Sequence, residues 1–501
     1  MENYFSRESR DVRALLRLIV KNGILETMIL VKNAKIVDGS GEPMRRGDIF
    51  VSGKAISAMG NFPNKKADVT IEALGMLCVP GFVDIHSHMD HSLAILEDPG
   101  QDDCLASGVT TAIGGNDGIS LAPLMYGSLD PLKKWAGGRS ANVGWHGMKE
   151  FRRMMESVPL GPNFGTLAGY ETIRRDVQGK GKGDLTDREM RVAAHIGKTA
   201  MREGALGISL DLKSPYGQKI SHEEARAVAQ AVAEEKGVLA IGLRRHEEHC
   251  MEAVQEALSL YKATGVTMVI AGFVPNGLNK ATEREFLLSY EAVKNAGDNL
   301  FIEIGLGDVR LAPLADLLPH HMRKETFAEL KEIMRDKSGK KELVRELPRH
   351  PDAVIARVPW EHKQLAGITI ETFARDRDMT AKEALLELMR LTRMNATIAV
   401  KEKLSPLALE IMDDDHALIA GPPKAAFAAG DALRWPIEKT VMKLTHLPAR
   451  AYGLGKRGML KENWSADMVL MDDRYEIART IVNGAYGGKG GAMLAKAHSP
   501  K

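Results

Sequence analysis

The segment with the clearest chemical potential runs from Pro80 to Asp90, where strand-forming residues lead into two histidines two positions apart, in the order PGFVDIHSHMD. Alternate side chains of a β-strand share one face, so the imidazoles of His86 and His88 could bind a single metal ion. Catalytic groups of an α/β barrel collect at the carboxyl ends of its strands. The alternative interpretation is an ordinary hydrogen-bonded histidine pair at a strand end.

The middle of the chain, from residue 79 to residue 449, alternates apolar strand-like runs with polar helical segments. Examples of the runs are GFVDIHSH, VTTAIGG, GALGISLDL, GVLAIGLRR, GVTMVIAGF and DNLFIEIGLG. Parallel strands joined by crossover helices in this number predict a distorted (β/α)8 TIM barrel of the α/β class. A more polar stretch at about 320–379 predicts a helical excursion from the barrel.

Both ends of the chain have a different character from the middle. Short β-branched runs separated by Gly, Asp and Pro fill Met28 to Gly60 and recur in Ser465–Asp473 and Thr480–Gly487. Such runs predict short strands. We therefore expect residues 28–78 and 450–501 to form one composite β-sandwich domain, preceded by a helical extension over residues 1–27.

Composition limits the partners. Lys and Arg number 68 against 66 for Asp and Glu, a net charge of +2, whereas a nucleic-acid surface would show a basic block. No apolar run is long enough to span a membrane. The three cysteines are far apart and odd in number, which favours a reducing compartment and a cytoplasmic location. The remaining expectation is a small-molecule ligand or substrate, with assembly either as a homo-oligomer or beside an active paralogue left open.

Several motifs in one order resemble the N-acyl-D-amino-acid deacylase (D-aminoacylase) group of the amidohydrolase superfamily. They are NAKIVDGSGEP, PGFVDIHSHMDH, SGVTTAIGGNDGISLAP, GALGISLDL and KLTHLPARAYGLGKRGML. The resemblance covers nearly the whole chain. It implies a (β/α)8 barrel with a small β domain, and a metal that lowers the pKa of a bound water and polarises an amide carbonyl.

The resemblance also assigns site residues. Asp117 stands where the family has a bridging cysteine, and a carboxylate can ligate zinc. His86, His88 and Asp117 are thus expected to hold one weakly bound zinc ion. Asp90 matches an acidic residue that orients a histidine. Arg244 is retained in the fifth-strand motif and is the expected substrate contact.

Other positions of the family pattern are lost. The fifth-strand histidine falls on Gly242 and the next histidine on Gly272, two tyrosines fall on Gly305 and Gly307, and the catalytic aspartate aligns near Pro422. These losses predict a pocket that is wider and less polar than a deacylase site. They also remove the family's general base, a type of group typically worth 10²- to 10⁴-fold in rate.

Two residues could replace the missing base. His246 lies in a charged stretch just after the fifth barrel strand, where the alternative is a solvated loop leading into a helix. Glu303 lies near the end of a later strand, where the alternative is a hydrogen-bonding role behind a ligand. Both are carried forward as candidate catalytic residues.

Two functions follow from the sequence. The first is a metal-dependent hydrolase of non-peptide C–N bonds, in N-acyl or amide compounds. The second is a catalytically inactive homologue that binds a ligand or serves as a structural subunit of a complex. Fold alone does not choose between them, because function depends on the site.

Overall fold

The structure is a computed structural model, and it describes residues 27–497 apart from 127, 180–182, 215, 245–249, 274–279, 307–308, 320–326, 402–405 and 487–489. Twenty strands occur in these residues: β1 Met28–Ile36, β2 Arg45–Ser52, β3 Ala55–Gly60, β4 Val69–Glu72, β5 Leu77–Pro80, β6 Phe82–Asp84, β7 Val109–Gly114, β8 Asn163–Thr166, β9 Ala168–Gly169, β10 Gly207–Asp211, β11 Val238–Gly242, β12 Thr267–Ala271, β13 Leu300–Gly305, β14 Val309–Pro313, β15 Val354–Arg357, β16 Thr397–Lys401, β17 Ala417–Ala420, β18 Met468–Met471, β19 Ile477–Val482 and β20 Ala485–Tyr486.

The α-helices alternate with the central strands. They are α1 Ala94–Glu97, α2 Asp102–Ala106, α3 Met148–Glu156, α4 Tyr170–Gln178, α5 Asp187–Arg202, α6 His222–Glu234, α7 Cys250–Thr264, α8 Lys280–Lys294, α9 Phe327–Arg335, α10 Lys337–Glu346, α11 Ile370–Arg375, α12 Ala381–Leu391, α13 Pro406–Met412, α14 Pro423–Ala432, α15 Ile437–Leu444 and α16 His446–Ala451. None of the described helices is long and apolar enough to cross a membrane.

One eight-stranded sheet is assembled from both ends of the chain. Its order is β20-β19-β18-β5-β1-β2-β3, with β4 also paired to β1. Strand β18 from the C-terminal segment pairs antiparallel with β5 from the N-terminal segment, and the two segments share one hydrophobic core. Strands from both chain ends therefore meet in a single sheet, as the strand patterns predict. Residues 1–26 of the predicted helical extension lie outside the described residues.

The central strands are parallel and lie in the order of a barrel. One sheet has the order β6-β7-β8 and the other has the order β9-β10-β11-β12-β13-β17. Only Leu167 separates β8 from β9, so these two are parts of one strand position and the two sheets give eight positions in all. The predicted α/β class is therefore confirmed.

A buried apolar cluster is shared by strands of both central sheets. Its members include Val83, Ile85, Ile113, Leu167, Leu206, Val238, Ala240, Val269, Phe301, Leu418 and Ala420. Side chains from strands that are far apart in sequence pack together only if the strands curve around a common interior. This cluster fixes the strand ends relative to one another, and the candidate site is built on those ends.

Local sequence explains where the helices that support these strands begin. The hydroxyl of Thr186 accepts a hydrogen bond from the Glu189 amide, and the Glu189 carboxylate accepts one from the Thr186 amide, which together form a capping box at the start of α5. Ser221 caps α6 by accepting from the Glu224 amide. Such caps satisfy amide donors that a helix start leaves unpaired.

The excursion has mixed structure. Residues 309–401 contain helices and a three-stranded sheet of order β14-β16-β15. They also have a hydrophobic core of their own, which includes Leu314, Leu343, Phe373, Leu385 and Ile398. The expectation of a helical excursion was therefore incomplete. The three strands have only four or five residues each, and runs of that length carry too weak a period to be told from loops.

Candidate metal centre

Three side chains that can ligate a metal converge at the mouth of the central strands. The Oδ2 atom of Asp117 lies 3.4 Å from Nε2 of His86 and 3.0 Å from Nε2 of His88. The group is partly exposed, with side-chain exposures of 17% for His86, 24% for His88 and 32% for Asp117. It is the one cluster of three or more potential ligands within the described part of the chain.

The donor separations fit a zinc ion. Zinc–nitrogen and zinc–oxygen distances of about 2.0–2.1 Å in a tetrahedral site place neighbouring donors about 3.3 Å apart. The observed separations of 3.0 and 3.4 Å bracket that value. A catalytic zinc takes three protein ligands and leaves one position open, which matches this set of two imidazoles and one carboxylate.

The two histidines lie beyond the strand that precedes them. Strand β6 ends at Asp84, whose side chain accepts a hydrogen bond from the His86 amide, so the alternation of side chains along a strand does not by itself explain how the rings converge. His88 is held instead by stacking. The Trp135 ring lies 4.5 Å from the His88 ring at an interplanar angle of 25°.

Asp117 is held by a tight turn after β7. Its φ is +52°, a left-handed conformation that Asp adopts more readily than most residues. The carboxylate of Asp90 accepts a hydrogen bond of 2.6 Å from the Gly115 amide, and the Ser209 hydroxyl accepts one from the Gly118 amide. Asp90 therefore positions the turn that carries Asp117. It was expected to orient a histidine, and its second bond is to the backbone amide of His91, not to an imidazole.

Glu303 lies behind His86, on the side away from Asp117. Its Oε1 atom is 2.8 Å from Nδ1 of His86, although the ring N–H is not well aligned with that oxygen. A carboxylate at the second nitrogen of an imidazole directs the first nitrogen toward a metal. Glu303 is 4% exposed, so this placement suits an orienting role and does not suit the role of catalytic base suggested by the sequence.

The charges of the cluster are strongly coupled. Burial disfavours the charged ring of His86, but Glu303 and Asp117 outweigh burial and hold the pKa of His86 well above its usual value. Burial lowers the pKa of His88. Burial opposes ionisation of Asp117, yet the neighbouring imidazole of His86 holds the pKa of that carboxyl well below its usual value. The Asp117 carboxylate is thereby kept negative beside the two imidazoles, which suits a position that accepts a cation.

Glycines end β11 and β13, and a third glycine directly follows β12. A Cβ atom placed on Gly242 would come within 2.5 Å of Oδ1 of Asp211, whereas one on Gly272 or Gly305 would meet nothing within 4 Å. Among the described residues, which leave out 274–279 and 307–308, space is therefore open at Gly272 and Gly305 but filled at Gly242. The expectation of a wider and less polar pocket was wrong at Gly242, because the carboxylate of Asp211 from the neighbouring strand occupies that volume.

The other predicted residues have different outcomes. Arg244 donates hydrogen bonds to the carboxylate of Glu256 and to the carbonyl oxygens of Gln218 and Ile220. Most of its N–H groups are thereby used within the protein, and it holds the loop before α6 in place. His246 and Gly307 lie outside the described residues.

Sequence reasoning missed Asp211 and Lys134. Asp211 is the last residue of β10, the position where a barrel strand presents catalytic groups, and that signal was available in GALGISLDL. Burial, followed by the charge of Asp117, raises the pKa of Asp211 to about 7. Lys134 lies in the loop after β7, and no pattern in the sequence indicates that it reaches this region.

Comparison with known proteins identifies the class of protein that this fold and site define. No protein-family model matches the chain. A D-aminoacylase from Alcaligenes xylosoxydans xylosoxydans is 25% identical over 463 residues, which cover 89% of this chain and 88% of that protein. An N-acyl-D-aspartate deacylase from the same organism is 26% identical over 458 residues, 88% of this chain and 85% of its own.

Solved structures give the same result for the fold. The N-acyl-D-glutamate deacylase of Bordetella bronchiseptica, solved with zinc and a phosphonate inhibitor, superposes with a TM-score of 0.76 at 20% identity, over 94% of this chain and 100% of that one. A D-aminoacylase structure superposes with a TM-score of 0.73 at 21% identity, over 93% and 99%. The fold is that of the amidohydrolases. The chain is a homologue of the D-aminoacylases, the N-acyl-D-amino-acid deacylase group of that superfamily.

Proposed function

We propose that this protein is a metal-dependent hydrolase of non-peptide C–N bonds in N-acyl or amide compounds, with one zinc ion held by His86, His88 and Asp117. The observation that carries the proposal is that Nε2 of His86 and Nε2 of His88 lie 3.4 and 3.0 Å from Oδ2 of Asp117. All three residues have a ligand atom within 4.8 Å of the other two, and Glu303 lies behind His86. A ligand set supported by an orienting carboxylate is the arrangement of a built metal site. The eight strand positions are proposed to close into a (β/α)8 barrel around this site.

A zinc ion bound there would supply Lewis acidity, lowering the pKa of a bound water and polarising an acyl oxygen. The chain supplies the rest. Glu303 directs the ring of His86, the Asp90 carboxylate holds the turn that carries Asp117, and the Trp135 ring covers one face of His88. These contacts hold the ligands in place before a substrate arrives, which is where much of the catalytic advantage of such sites arises.

The proposed substrate differs from an N-acyl-D-amino acid of the family type. The retained arginine, Arg244, is bonded within the protein, and Gly305 replaces a tyrosine of the family pattern. A free carboxylate on the substrate would therefore lack those partners. We propose a small N-acyl or amide compound in which the group beside the scissile bond is not a carboxylate. The three unpaired cysteines support the cytoplasm as the proposed compartment.

A second candidate function is that of a catalytically inactive homologue that binds a ligand or supports a complex. The open space beside Gly272 and Gly305 favours it, because a glycine has no side chain that could bind a metal ion. A protein that bound a small molecule without reacting would need only space for the ligand and the scaffold.

Amine release by zinc-reconstituted protein tests the choice. The wild-type protein, a sample stripped with chelator, and His86→Ala would be incubated with N-formyl, N-acetyl and N-succinyl derivatives of D- and L-amino acids and of their amides. We expect zinc-dependent amine release that is greater for the amides and is lost in His86→Ala. His195→Ala, which removes an exposed histidine of α5, is the matched control. Zinc binding at one ion per chain without any release would favour the inactive homologue.

A further inference from the structure

Asp211 ends strand β10 at the mouth of the central strands. Two residues earlier on the same strand, Ser209 bonds the turn that carries Asp117, donating to the Gly115 carbonyl and accepting from the Gly118 amide. Side chains two apart on a strand share a face. Asp211 is therefore on the face of β10 that meets the metal-ligating turn.

Neighbouring atoms place Asp211 between two parts of the candidate site. On one side, a Cβ atom on Gly118 would lie 3.4 Å from the amide nitrogen and 3.5 Å from the Cβ atom of Asp211, and Gly118 directly follows Asp117. On the other side, the residue paired with Asp211 across the ladder is Gly242, whose missing side chain leaves the space that Oδ1 occupies. A side chain at 242 would exclude this position of the carboxylate.

The charged groups that act on Asp211 come from several elements. Asp117 and Glu171 act to raise its pKa and Lys213 acts to lower it, in addition to the effect of burial. The charges of Asp316, in the excursion, and of Glu171 and Asp211 act to raise the pKa of Lys134. The Nζ atom of Lys134 lies 3.4 Å from Oδ1 of Asp316. Both acidic and basic groups therefore act on this carboxylate, and its Oδ1 atom also accepts a hydrogen bond from the Lys213 amide.

We infer that Asp211 is the proton-transferring catalytic residue of this site, and that Gly242 is present because it makes room for it. The inference rests on the proposed function. Among the described residues it supplies a group for proton transfer, because Glu303 lies behind His86 and the family's aspartate aligns near Pro422.

The proposed reaction is hydrolysis of a C–N bond by water. The Asp211 carboxylate accepts one proton from the attacking water as the water oxygen bonds to the acyl carbon. The C–N bond then breaks, its electron pair stays with nitrogen, and Asp211 returns the proton to that nitrogen. The products are a carboxylic acid and an amine, and Asp211 is regenerated in its ionised form. A carboxyl group poised near neutrality is suited to both halves of this transfer.

Asp211→Asn and Asp211→Glu, compared with Asp184→Asn at an exposed position, test the inference. Zinc content and affinity, the circular dichroism spectrum, and kcat from pH 5 to 9 would be measured for each, using the best substrate of the acyl-amide panel. We expect Asp211→Asn to keep its spectrum and to bind zinc within about threefold of wild type while kcat falls 10²- to 10⁴-fold. Asp211→Glu should recover at least tenfold of that loss and keep the pH profile, which a merely structural residue would not do.

Failure of the inference about Asp211 can be distinguished from failure of the proposed function. Wild-type turnover together with an active Asp211→Asn protein, or with an Asn variant that no longer binds zinc, overturns the inference and leaves the proposed function standing. A wild-type protein that binds zinc and releases no amine overturns the proposed function and the inference with it. If Asp211→Asn does not fold, the Glu variant decides: a folded, zinc-binding Asp211→Glu protein without turnover or without the wild-type pH profile contradicts the role.

Discussion

The two sides of the candidate site carry different kinds of residue. On the side of β6, β7 and β13, His86, Asp117 and Glu303 contact one another in a continuous chain of charged groups. On the side of β11 and β12, the strands end in Gly242 and lead into Gly272, without a side chain at either position. The comparison contrasts one side on which titratable side chains contact one another with another side on which the strand ends carry no side chain.

Gly242 and Gly272 differ in what surrounds them. Space at Gly242 is filled by Asp211, whereas space at Gly272 is open. Gly272 also has a φ of +64°, which a larger residue would adopt only at some cost in energy. We conclude that a glycine in place of an imidazole has different consequences at two adjacent strand ends, and that these consequences depend on what the neighbouring strand presents.

The largest expected effect comes from removing one of the proposed metal ligands. His86→Ala removes one of three ligands and leaves Glu303 buried beside an empty space. We expect zinc affinity to fall more than about 100-fold, since a site normally needs three protein ligands. Calorimetric titration with zinc measures this. His195→Ala is the control, and an unchanged affinity in His86→Ala would show that the ligands are elsewhere.

A smaller effect is expected from the residue behind that ligand. Glu303→Gln keeps the shape of the side chain and removes its charge. Loss of an outer partner of a metal-binding histidine typically costs 10- to 100-fold in metal affinity, and we expect a loss in that range with the stoichiometry unchanged. Glu283→Gln, at an exposed position of α8, provides the baseline. Wild-type affinity in Glu303→Gln would remove the orienting role.

The different surroundings of Gly242 and Gly305 predict a contrast between two alanine substitutions. In Gly242→Ala the new methyl group meets Oδ1 of Asp211 at 2.5 Å, and such overpacking costs about 1–3 kcal/mol. Gly305→Ala meets no atom within 4 Å, so we expect stability equal to wild type or higher by up to about 1 kcal/mol. Urea denaturation of both proteins measures the difference. Equal free energies of unfolding would mean that Asp211 does not occupy the Gly242 space.

The smallest effect is expected where residues 309–401 contact the loop after β7. Asp316→Asn removes the charge that faces Lys134 at 3.4 Å, with side-chain exposures of 36% and 26%. Partly exposed ion pairs contribute about 0.2–1 kcal/mol, and the Thr397 hydroxyl still donates to the Lys134 carbonyl. We expect a loss of less than about 1 kcal/mol in the free energy of unfolding. A larger loss would give this ion pair a structural importance that its exposure does not suggest.

The parts of the molecule that sequence predicts are those with a strong local signal. Long apolar runs with flanking polar helices identified the α/β class, and the HxH spacing identified His86 and His88. Asp117 followed from the resemblance. Each of these depends on residues close together in sequence or on a shared motif.

The parts that sequence does not predict depend on long-range packing. Asp211 and Gly242 are 31 positions apart, and only the parallel ladder brings them side by side. Lys134 reaches Asp316 across 182 positions. The sequence left two roles open for Glu303 for a related reason, since its strand position is visible in the sequence but the side of His86 that it faces is not.

The central claim is that His86, His88 and Asp117 bind one zinc ion. Anomalous diffraction at the zinc absorption edge, from crystals of the full chain grown with equimolar zinc, tests it most directly. The account predicts one peak within about 2.3 Å of Nε2 of His86, Nε2 of His88 and a carboxylate oxygen of Asp117. A map with no peak at these three residues, or with its strongest peak elsewhere on the protein, would contradict it.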